Sequence, residues 1–330
     1  MISILLATYN GEKYIAGLIE SLLSQTIRDF KLYIRDDKST DDTYTIITGY
    51  AEKHPEKIFV SQNEENVGGA KYNFMEMMID HKDDYVMLCD QDDVWLPDKI
   101  EKSLNKIREI EQGIERENDP ESYTTNPVMV HTDLVVVEEN LNVISSSYEK
   151  MSNKDFEKTS LNFVVTMNNA AGCTIIYNRA LADLIQAMPE FIVMHDWWVS
   201  LIASAFGRIG AIHIPMVLYR QHEDNESGAK KVLSLKYIYY VLKNLKKMSL
   251  MIDDSYEQAG VFLRIYEDLL SADKQKLLRA YSSIPYYSRR KRFQTVKKYK
   301  TYMHGFARKV AQRMILMRNR EKGRREKKRV

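Results

Sequence analysis

Asp90, Asp92 and Asp93 place three carboxylates within four residues, directly after the apolar run Tyr85-Val86-Met87-Leu88-Cys89. Carboxylates this close repel one another unless a cation lies between them. A divalent metal carrying a diphosphate is the simplest chemistry such a cluster offers. The same residues also fit an acidic turn that caps the next helix, because Trp95-Leu96-Pro97-Asp98 has the form of a helix start. The apolar run is too short for a helix and predicts a buried strand. Burying like charges is costly, so the acids belong just past the strand's C-terminal end. In open α/β sheets that end is where ligands bind.

The surrounding elements predict how the cluster is positioned. Residues 2–7 read as a strand broken by Thr8-Tyr9-Asn10-Gly11. Residues 12–24 have helical spacing, with Ile15, Leu18, Ile19, Leu22 and Leu23 on one face. A second strand at 30–34 ends in Arg35-Asp36-Asp37, and Lys38-Ser39-Thr40-Asp41 is turn chemistry before a helix at 42–53. A strand at 57–62, a loop at 63–69 with two glycines and a helix at 70–80 lead to the Asp90 strand and a helix at about 97–111. This β-α alternation predicts a parallel sheet with right-handed crossovers. Residues 115–126 read as a loop and 128–138 as a strand. Residues 180–188 and 195–206 read as helices. A strand at 211–217 is broken by Pro215, and 218–222 follows. Helices are expected at 232–250, 255–270 and 272–282, and Pro285 ends that region.

The composition is that of an ordinary globular chain: 330 residues, 44% hydrophobic and 28% charged. Cys89 and Cys173 both lie in apolar surroundings and read as buried thiols, not a disulfide pair. No signal peptide and no membrane span is expected. The net charge of +2 conceals an asymmetry. Residues 289–330 carry 18 Lys and Arg against Glu321 and Glu326, which leaves −14 for residues 1–288. In that basic stretch apolar and aromatic residues recur every three or four positions. This favours an amphipathic helix on an anionic membrane surface over a solvated helix, a disordered end or a nucleic-acid contact.

Four motifs in order resemble glycosyltransferase family 2: Leu6-Ala7-Thr8-Tyr9-Asn10-Gly11, Arg35-Asp36-Asp37-Lys38-Ser39-Thr40-Asp41-Asp42-Thr43, Asn66-Val67-Gly68 and Asp90-Gln91-Asp92-Asp93-Val94-Trp95-Leu96-Pro97-Asp98-Lys99. Gly172-Cys173-Thr174, His195-Asp196-Trp197-Trp198 and Tyr219-Arg220-Gln221-His222 are similar to the rhamnosyltransferase-type branch. The resemblance covers roughly residues 1–225. One departure is Lys38, where the family usually has Gly. The resemblance implies the α/β GT-A nucleotide-sugar-binding fold, a Rossmann-like mixed and mostly parallel sheet, followed by a C-terminal helical extension. The expected divisions are a GT-A domain at 1–226, a helical region at 227–288 and a basic amphipathic tail at 289–330.

The resemblance also implies roles. Thr8, Tyr9, Asn10, Asp36 or Asp37, Asn66, Gly68, Asp90 and Gln91 would bind the donor nucleotide. A carboxylate can accept from a pyrimidine N3–H, although Asp36 or Asp37 could instead cap a helix. Asp90, Asp92 and Asp93 would hold Mg2+ or Mn2+. Asp196 would be the general base of an inverting transfer, against the alternative of a helix N-cap. Arg220 and His222 would meet the diphosphate. His195, Trp197 and Trp198 would face the acceptor, with one tryptophan left to the core.

The implied activity moves L-rhamnose from dTDP-rhamnose to a hydroxyl of a polyprenyl-linked saccharide in bacterial cell-surface polysaccharide synthesis. The work would take place at the cytoplasmic face of the cell membrane. The alternatives are another family 2 hexosyltransferase using a UDP-sugar, or a non-catalytic membrane adaptor that keeps the fold. No nucleic-acid partner is expected, and a homo-oligomer is compatible with the sequence. A nicotinamide dehydrogenase is disfavoured, because the first strand does not lead to G-x-G-x-x-G.

Overall fold

A computed structural model describes residues 1–117, 126–222 and 243–318. The chain forms two compact units. One comprises 1–159, 168–188 and 194–231, and the other comprises 160–167, 189–193 and 232–330.

The first unit is built on one mixed sheet. Its early elements alternate: β1 (Ile2–Thr8), α1 (Ile15–Leu23), β2 (Lys31–Asp36), α2 (Thr43–Lys53), β3 (Ile58–Gln62), α3 (Ala70–Asp80) and β4 (Tyr85–Asp90). The strands lie in the order β3-β2-β1-β4, all parallel. Ile15, Leu18, Ile19 and Leu22 are the buried face of α1, and every residue of β1 is buried, as a strand covered on both faces requires. The chain steps outward twice through α1 and α2, which pack together, then returns across β1 through α3. Right-handed crossovers therefore put α3 on the opposite face.

The rest of the sheet is woven differently. After β5 (Val94–Trp95) and α4 (Lys99–Glu117) come β6 (Val128–Glu138), β7 (Val143–Ser145), the short helices α5 (Tyr148–Ser152) and α6 (Leu161–Val164), β8 (Ile175–Asn178), α7 (Arg179–Ala182), α8 (His195–Phe206) and β9 (Arg208–Gln221). Of these, α6 lies in the second unit. β8 joins β4 antiparallel, β6 joins β8 antiparallel, and β9 runs parallel to β6 and antiparallel to β5. β9 thus carries its C-terminal end back to the acidic turn.

Three elements differ from the sequence reading. β9 is continuous through Pro215, because the proline sits opposite Asp133 where the register shifts and no ladder donor is needed. α4 continues to Glu117, and α7 stops at Ala182 instead of running to 188.

Gly207, between α8 and β9, is a packing constraint. A Cβ there would lie 1.6 Å from the Pro127 carbonyl oxygen, which also accepts from Arg208 N at 3.0 Å. Gly207→Ala is expected to lower unfolding stability by about 3 kcal/mol, since backbone and hydrogen bond must both shift. Urea unfolding measures it, and a loss below about 1 kcal/mol would show that the junction yields.

In the second unit the expected helices at 232–250 and 255–270 are replaced, over the described part, by α9 (Leu245–Tyr266). The expected gap at 251–254, Met-Ile-Asp-Asp, holds no Gly or Pro to break the helix, and residues 232–242 lie outside the described residues. α10 (Ala272–Ser282) follows. The basic stretch forms two helices, α11 (Arg289–Tyr299) and α12 (Phe306–Met317), separated at Lys300 and Gly305, both at positive φ. Residues 319–330 lie outside the described residues. No described helix is long and apolar enough to cross a membrane.

Candidate active site

The parallel register sets Ala7 beside Asp90 and Thr8 beside Asp36, so β1, β2 and β4 end on one side of the sheet. Asp36 is fully buried and its carboxylate is saturated. It accepts from Thr8 Oγ1 at 3.0 Å, Ser39 N at 2.9 Å, Ser39 Oγ at 2.5 Å and Gln62 Nε2 at 2.9 Å. Asp37 is used differently. Its Oδ1 accepts from Asn63 Nδ2 and Val67 N, both at 2.8 Å, and its carbonyl from Asn66 Nδ2 at 3.0 Å. Its Oδ2 takes no hydrogen bond from the described residues. Neither acid caps α2, where Asp41 accepts from Thr43 N at 3.0 Å.

The β1 loop is fastened on both sides. Tyr9 and Gln91 exchange two hydrogen bonds, Tyr9 N to Gln91 Oε1 and Gln91 Nε2 to Tyr9 O, each at 2.9 Å. Asn10 accepts from Thr40 N at 2.9 Å. The Tyr9 ring remains exposed. Asn66 Oδ1 accepts from Gly68 N, and Gly68 has φ +86°, a conformation glycine enters without strain.

Lys38 stands where the family resemblance leads one to expect glycine, and it adopts φ +63°. The turn therefore keeps the glycine conformation with a lysine in it, at a cost of about 1 kcal/mol. Lys38→Gly is expected to raise stability by up to about 1 kcal/mol in urea unfolding, less what the freer unfolded chain takes back. A destabilised variant would mean that the lysine side chain contributes more than its backbone costs.

The acidic turn is not a helix cap, because α4 begins only at Lys99. Asp92 Oδ2 lies 2.7 Å from His222 Nε2. Asp93 is fully buried; its Oδ1 accepts from Arg220 N at 3.2 Å and its Oδ2 has no partner. Burial, reinforced by Asp92 and Asp90, pushes the Asp93 carboxyl well above the usual carboxylate range. Asp90, Asp93 and Cys173 each bring one ligand atom within 4.8 Å of the others. Burial raises the Cys173 thiol, which disfavours a thiolate ligand. Asp90 and Asp92 are partly exposed, and their hard carboxylate oxygens suit Mg2+ or Mn2+, while the borderline His222 nitrogen beside Asp92 Oδ2 is better matched to Mn2+ than to Mg2+. Beneath them Lys99 is fully buried, its Nζ 3.3 Å from the centre of the Trp95 ring, and burial lowers it to about 8 against the opposing pull of Cys89, Cys173 and Asp93.

Arg220 holds this turn from behind. Its Nε donates to the Asp92 carbonyl at 2.8 Å, its Nη1 to the Glu139 carbonyl, and its guanidinium lies 4.7 Å from the Tyr14 ring centre. Tyr14 also contacts the His222 ring, with centroids 5.2 Å apart.

Asp196 is the second residue of α8, whose N-cap is Met194, so the carboxylate is not the cap. Its Oδ1 is buried and accepts no hydrogen bond. Desolvation raises the acid to about 6, opposed by Lys154, the Trp197 N–H, the Asn168 amide and the Gly172 N–H, which favour the charged form. Gly172 lies against this residue: a Cβ there would fall 2.9 Å from His195 Nε2 and 3.7 Å from Asp196 Cβ. His195 is buried with both ring nitrogens unpartnered, and it stacks on Phe74 at 4.2 Å. Burial lowers it to about 3, so the imidazole is neutral. Trp198 is 1% exposed and belongs to the core; Trp197 retains 7%. The sequence reading gave no roles to Tyr14, Lys154 or Asn168. The amide pair Asn168-Asn169 before Ala170-Ala171-Gly172 was a usable signal for the last of these. Nothing in the sequence pointed to the other two.

A model of glycosyl transferase family 2 matches residues 3–181. This chain belongs to glycosyltransferase family 2. It is 26% identical over 246 residues to dTDP-rhamnosyl transferase RfbG of Shigella flexneri, covering 70% of this chain and 76% of that one. It is 27% identical over 256 residues to the glycosyltransferase TuaG of Bacillus subtilis, named for teichuronic acid biosynthesis, covering 76% and 90%. Among solved structures it resembles S. aureus TarS 1-349 at TM-score 0.52 and 18% identity, covering 92% and 93%, and the UDP-GlcNAc complex of the same protein at TM-score 0.51 and 16% identity, covering 92% and 93%. The fold is GT-A, with a helical C-terminal region, and the activity it serves is that of a family 2 glycosyltransferase.

Proposed function

We propose that this glycosyltransferase works by inversion, transferring L-rhamnose from dTDP-rhamnose to a hydroxyl of a polyprenyl-linked precursor of a cell-surface polysaccharide. The observation that carries the mechanism is the Gly172-Cys173 pair. Cys173 Sγ lies beside Asp90 and Asp93, and Gly172 lies against Asp196. A base and a leaving-group site therefore flank one short segment. Asp196 Oδ1 takes the proton of the acceptor hydroxyl as that oxygen bonds to C1 and the bond from C1 to the diphosphate breaks. Asp37 Oδ2 accepts from the base N3–H, while Asp36 and Thr8 fix the loop around it. Tyr9, Asn10, Gln91, Asn66 and Gly68 shape the nucleotide's surroundings.

Asp90, Asp92 and His222 would hold Mg2+ or Mn2+, with Asp93 behind them; when bound, the ion neutralises charge on the departing diphosphate. Arg220 keeps the acidic turn in place and adds positive charge near it. The neutral His195 and the Trp197 edge border the acceptor side. The GT-A catalytic part is read as 1–226, with a helical part at 227–288 and a basic part at 289–330.

The donor reading leans on the similarity to RfbG. A UDP-sugar is the second reading, since thymine and uracil present the same N3–H to Asp37. Incubating the enzyme with Mn2+ and a panel of dTDP-, UDP- and GDP-sugars, and following nucleotide release with and without acceptor, separates the two. Release from dTDP-rhamnose alone is the expected result, and release only from a UDP-sugar would overturn the donor assignment. The contact of Asp92 with His222 and the raised acid at Asp196 support an enzyme over a non-catalytic adaptor.

A further inference from the structure

The second unit presents an amphipathic surface whose chemistry differs from that of the rest of the chain. Residues 289–318 contain eleven Lys and Arg and no acid. In α12 the inward face is Ala307, Ala311 and Ile315, with Ala307 and Ala311 packed on Leu245 and Met248 of α9. Gln312 fixes the preceding loop by donating to Thr301 O at 2.9 Å and accepting from Met303 N at 3.1 Å. Buried Arg292 of α11 donates to the Leu316, Arg318 and Tyr287 carbonyls, tying the end of α12 to α11. α12 is therefore held in place, and its outer face is set by packing, not by fraying.

That outer face is Phe306, Lys309, Arg313 and Met317, spaced three, four and four residues apart, so they share one stripe. Phe306 is 75% exposed, more than any other large hydrophobic residue described, and Met317 is 52% exposed. α11 adds exposed Arg290, Phe293, Lys297 and Lys298, and Tyr286 before it is exposed as well. Large apolar tips framed by cations, with no carboxylate among them, match a bilayer interface. There the rings enter the acyl boundary and the cations meet anionic headgroups. A duplex nucleic acid would use the cations and leave Phe306 and Met317 in water.

We propose that the α11–α12 surface docks on an anionic phospholipid bilayer, with Phe306 and Met317 as the inserted side chains and Lys309 and Arg313 as the headgroup contacts. This rests on the reading above that the acceptor is lipid-linked, but it does not depend on which sugar is moved.

The test is flotation of the full chain with vesicles of phosphatidylglycerol and phosphatidylcholine, against vesicles of phosphatidylcholine alone. Wild type should float with the anionic vesicles only, and less so at high salt. Each surface cation contributes about fivefold, so the pair Lys309→Gln, Arg313→Gln should weaken binding by roughly twentyfold to thirtyfold. Phe306→Ser should weaken it by on the order of tenfold. All three residues are exposed, and circular dichroism checks that the variants stay folded. Equal binding to both vesicle types overturns the proposal. So does wild-type flotation of the stripe variants, including the case where removing residues 319–330 alone abolishes binding. A mixed-sequence DNA duplex that is bound more tightly than vesicles and with no dependence on Phe306 would also overturn it. Sugar transfer to a detergent-solubilised acceptor should be unchanged in the stripe variants. Failure of docking with transfer intact is thus distinct from failure of the functional assignment.

Discussion

Asp196→Asn is expected to lower the transfer rate by about a thousandfold while leaving donor binding intact. General-base catalysis contributes roughly 10²–10⁴ in rate, and an amide of the same shape cannot take the acceptor proton. The buried surroundings sharpen the expectation, since Oδ1 takes no hydrogen bond from a protein donor. Burial raises the acid to about 6 from an ordinary value of 3.8. The working form is the carboxylate, so the rate of the wild-type enzyme should rise with pH through about 6 and then level off, and the variant should lack that limb. The sign for stability is opposite. The unfolded chain releases this proton near 3.8 and the folded one near 6, so stability falls as pH rises between those values and stays lower above them. Asp196→Asn removes that penalty, and the variant should be more stable at neutral pH by on the order of 2 kcal/mol, less the orphaning of the new amide. Single-turnover transfer across pH and thermal unfolding of the same samples measure both. A variant that transfers at the wild-type rate would remove Asp196 from the role.

The second large effect concerns the leaving-group site. Asp92→Asn removes one of the two partly exposed carboxylates of the turn and weakens the contact to His222 at 2.7 Å. Loss of electrostatic stabilisation at a leaving group costs about a hundredfold to a thousandfold in rate. The accompanying binding measurement does not depend on turnover: thermal stabilisation of the wild type by a nucleoside diphosphate should require Mg2+ or Mn2+, vanish with chelator and be absent from Asp92→Asn. If the diphosphate stabilises the chelated wild type just as well, the site does not use a metal, and His222 and Arg220 must carry the charge between them.

The two substitutions should also be separable in kind. Asp92→Asn should raise KM for the donor together with lowering kcat, because the same contacts hold the diphosphate before and during its departure. Asp196→Asn should act on kcat almost alone, since the proton it accepts is still on the acceptor when the donor binds.

Much of this was legible in the sequence because strand ends are local events. An apolar run of four to six residues stopped by Asp or Thr fixes both the strand and the side on which its polar end emerges. That is why the ends at Thr8, Asp36 and Asp90 were placed correctly with no knowledge of the sheet. The buried face of α1 followed from spacing alone. The basic, acid-free C-terminal stretch was equally plain, because charge needs no fold to be counted.

What spacing could not supply was the division of labour among neighbouring acids. Asp36 and Asp37 look alike in the chain. Four donors drawn from β1, β3 and the following turn consume Asp36, and Asp37 keeps an oxygen. Asp92 and Asp93 are likewise adjacent, yet a one-residue step turns one toward His222 and buries the other against the Arg220 amide. Apart from Ser39, three residues on from Asp36, those donors arrive from 26 to 130 residues away along the chain, so only the packed sheet brings them in. The identity of Asp196 as an acid raised by burial has the same origin: its desolvation is a property of the core around α8. The chain by itself determined which ends carry chemistry and where the cations collect. The tertiary structure decided that Asp93 is the buried acid of the Asp90–Asp93 turn while Asp90 and Asp92 keep some exposure, because only packing fixes how much water each one keeps.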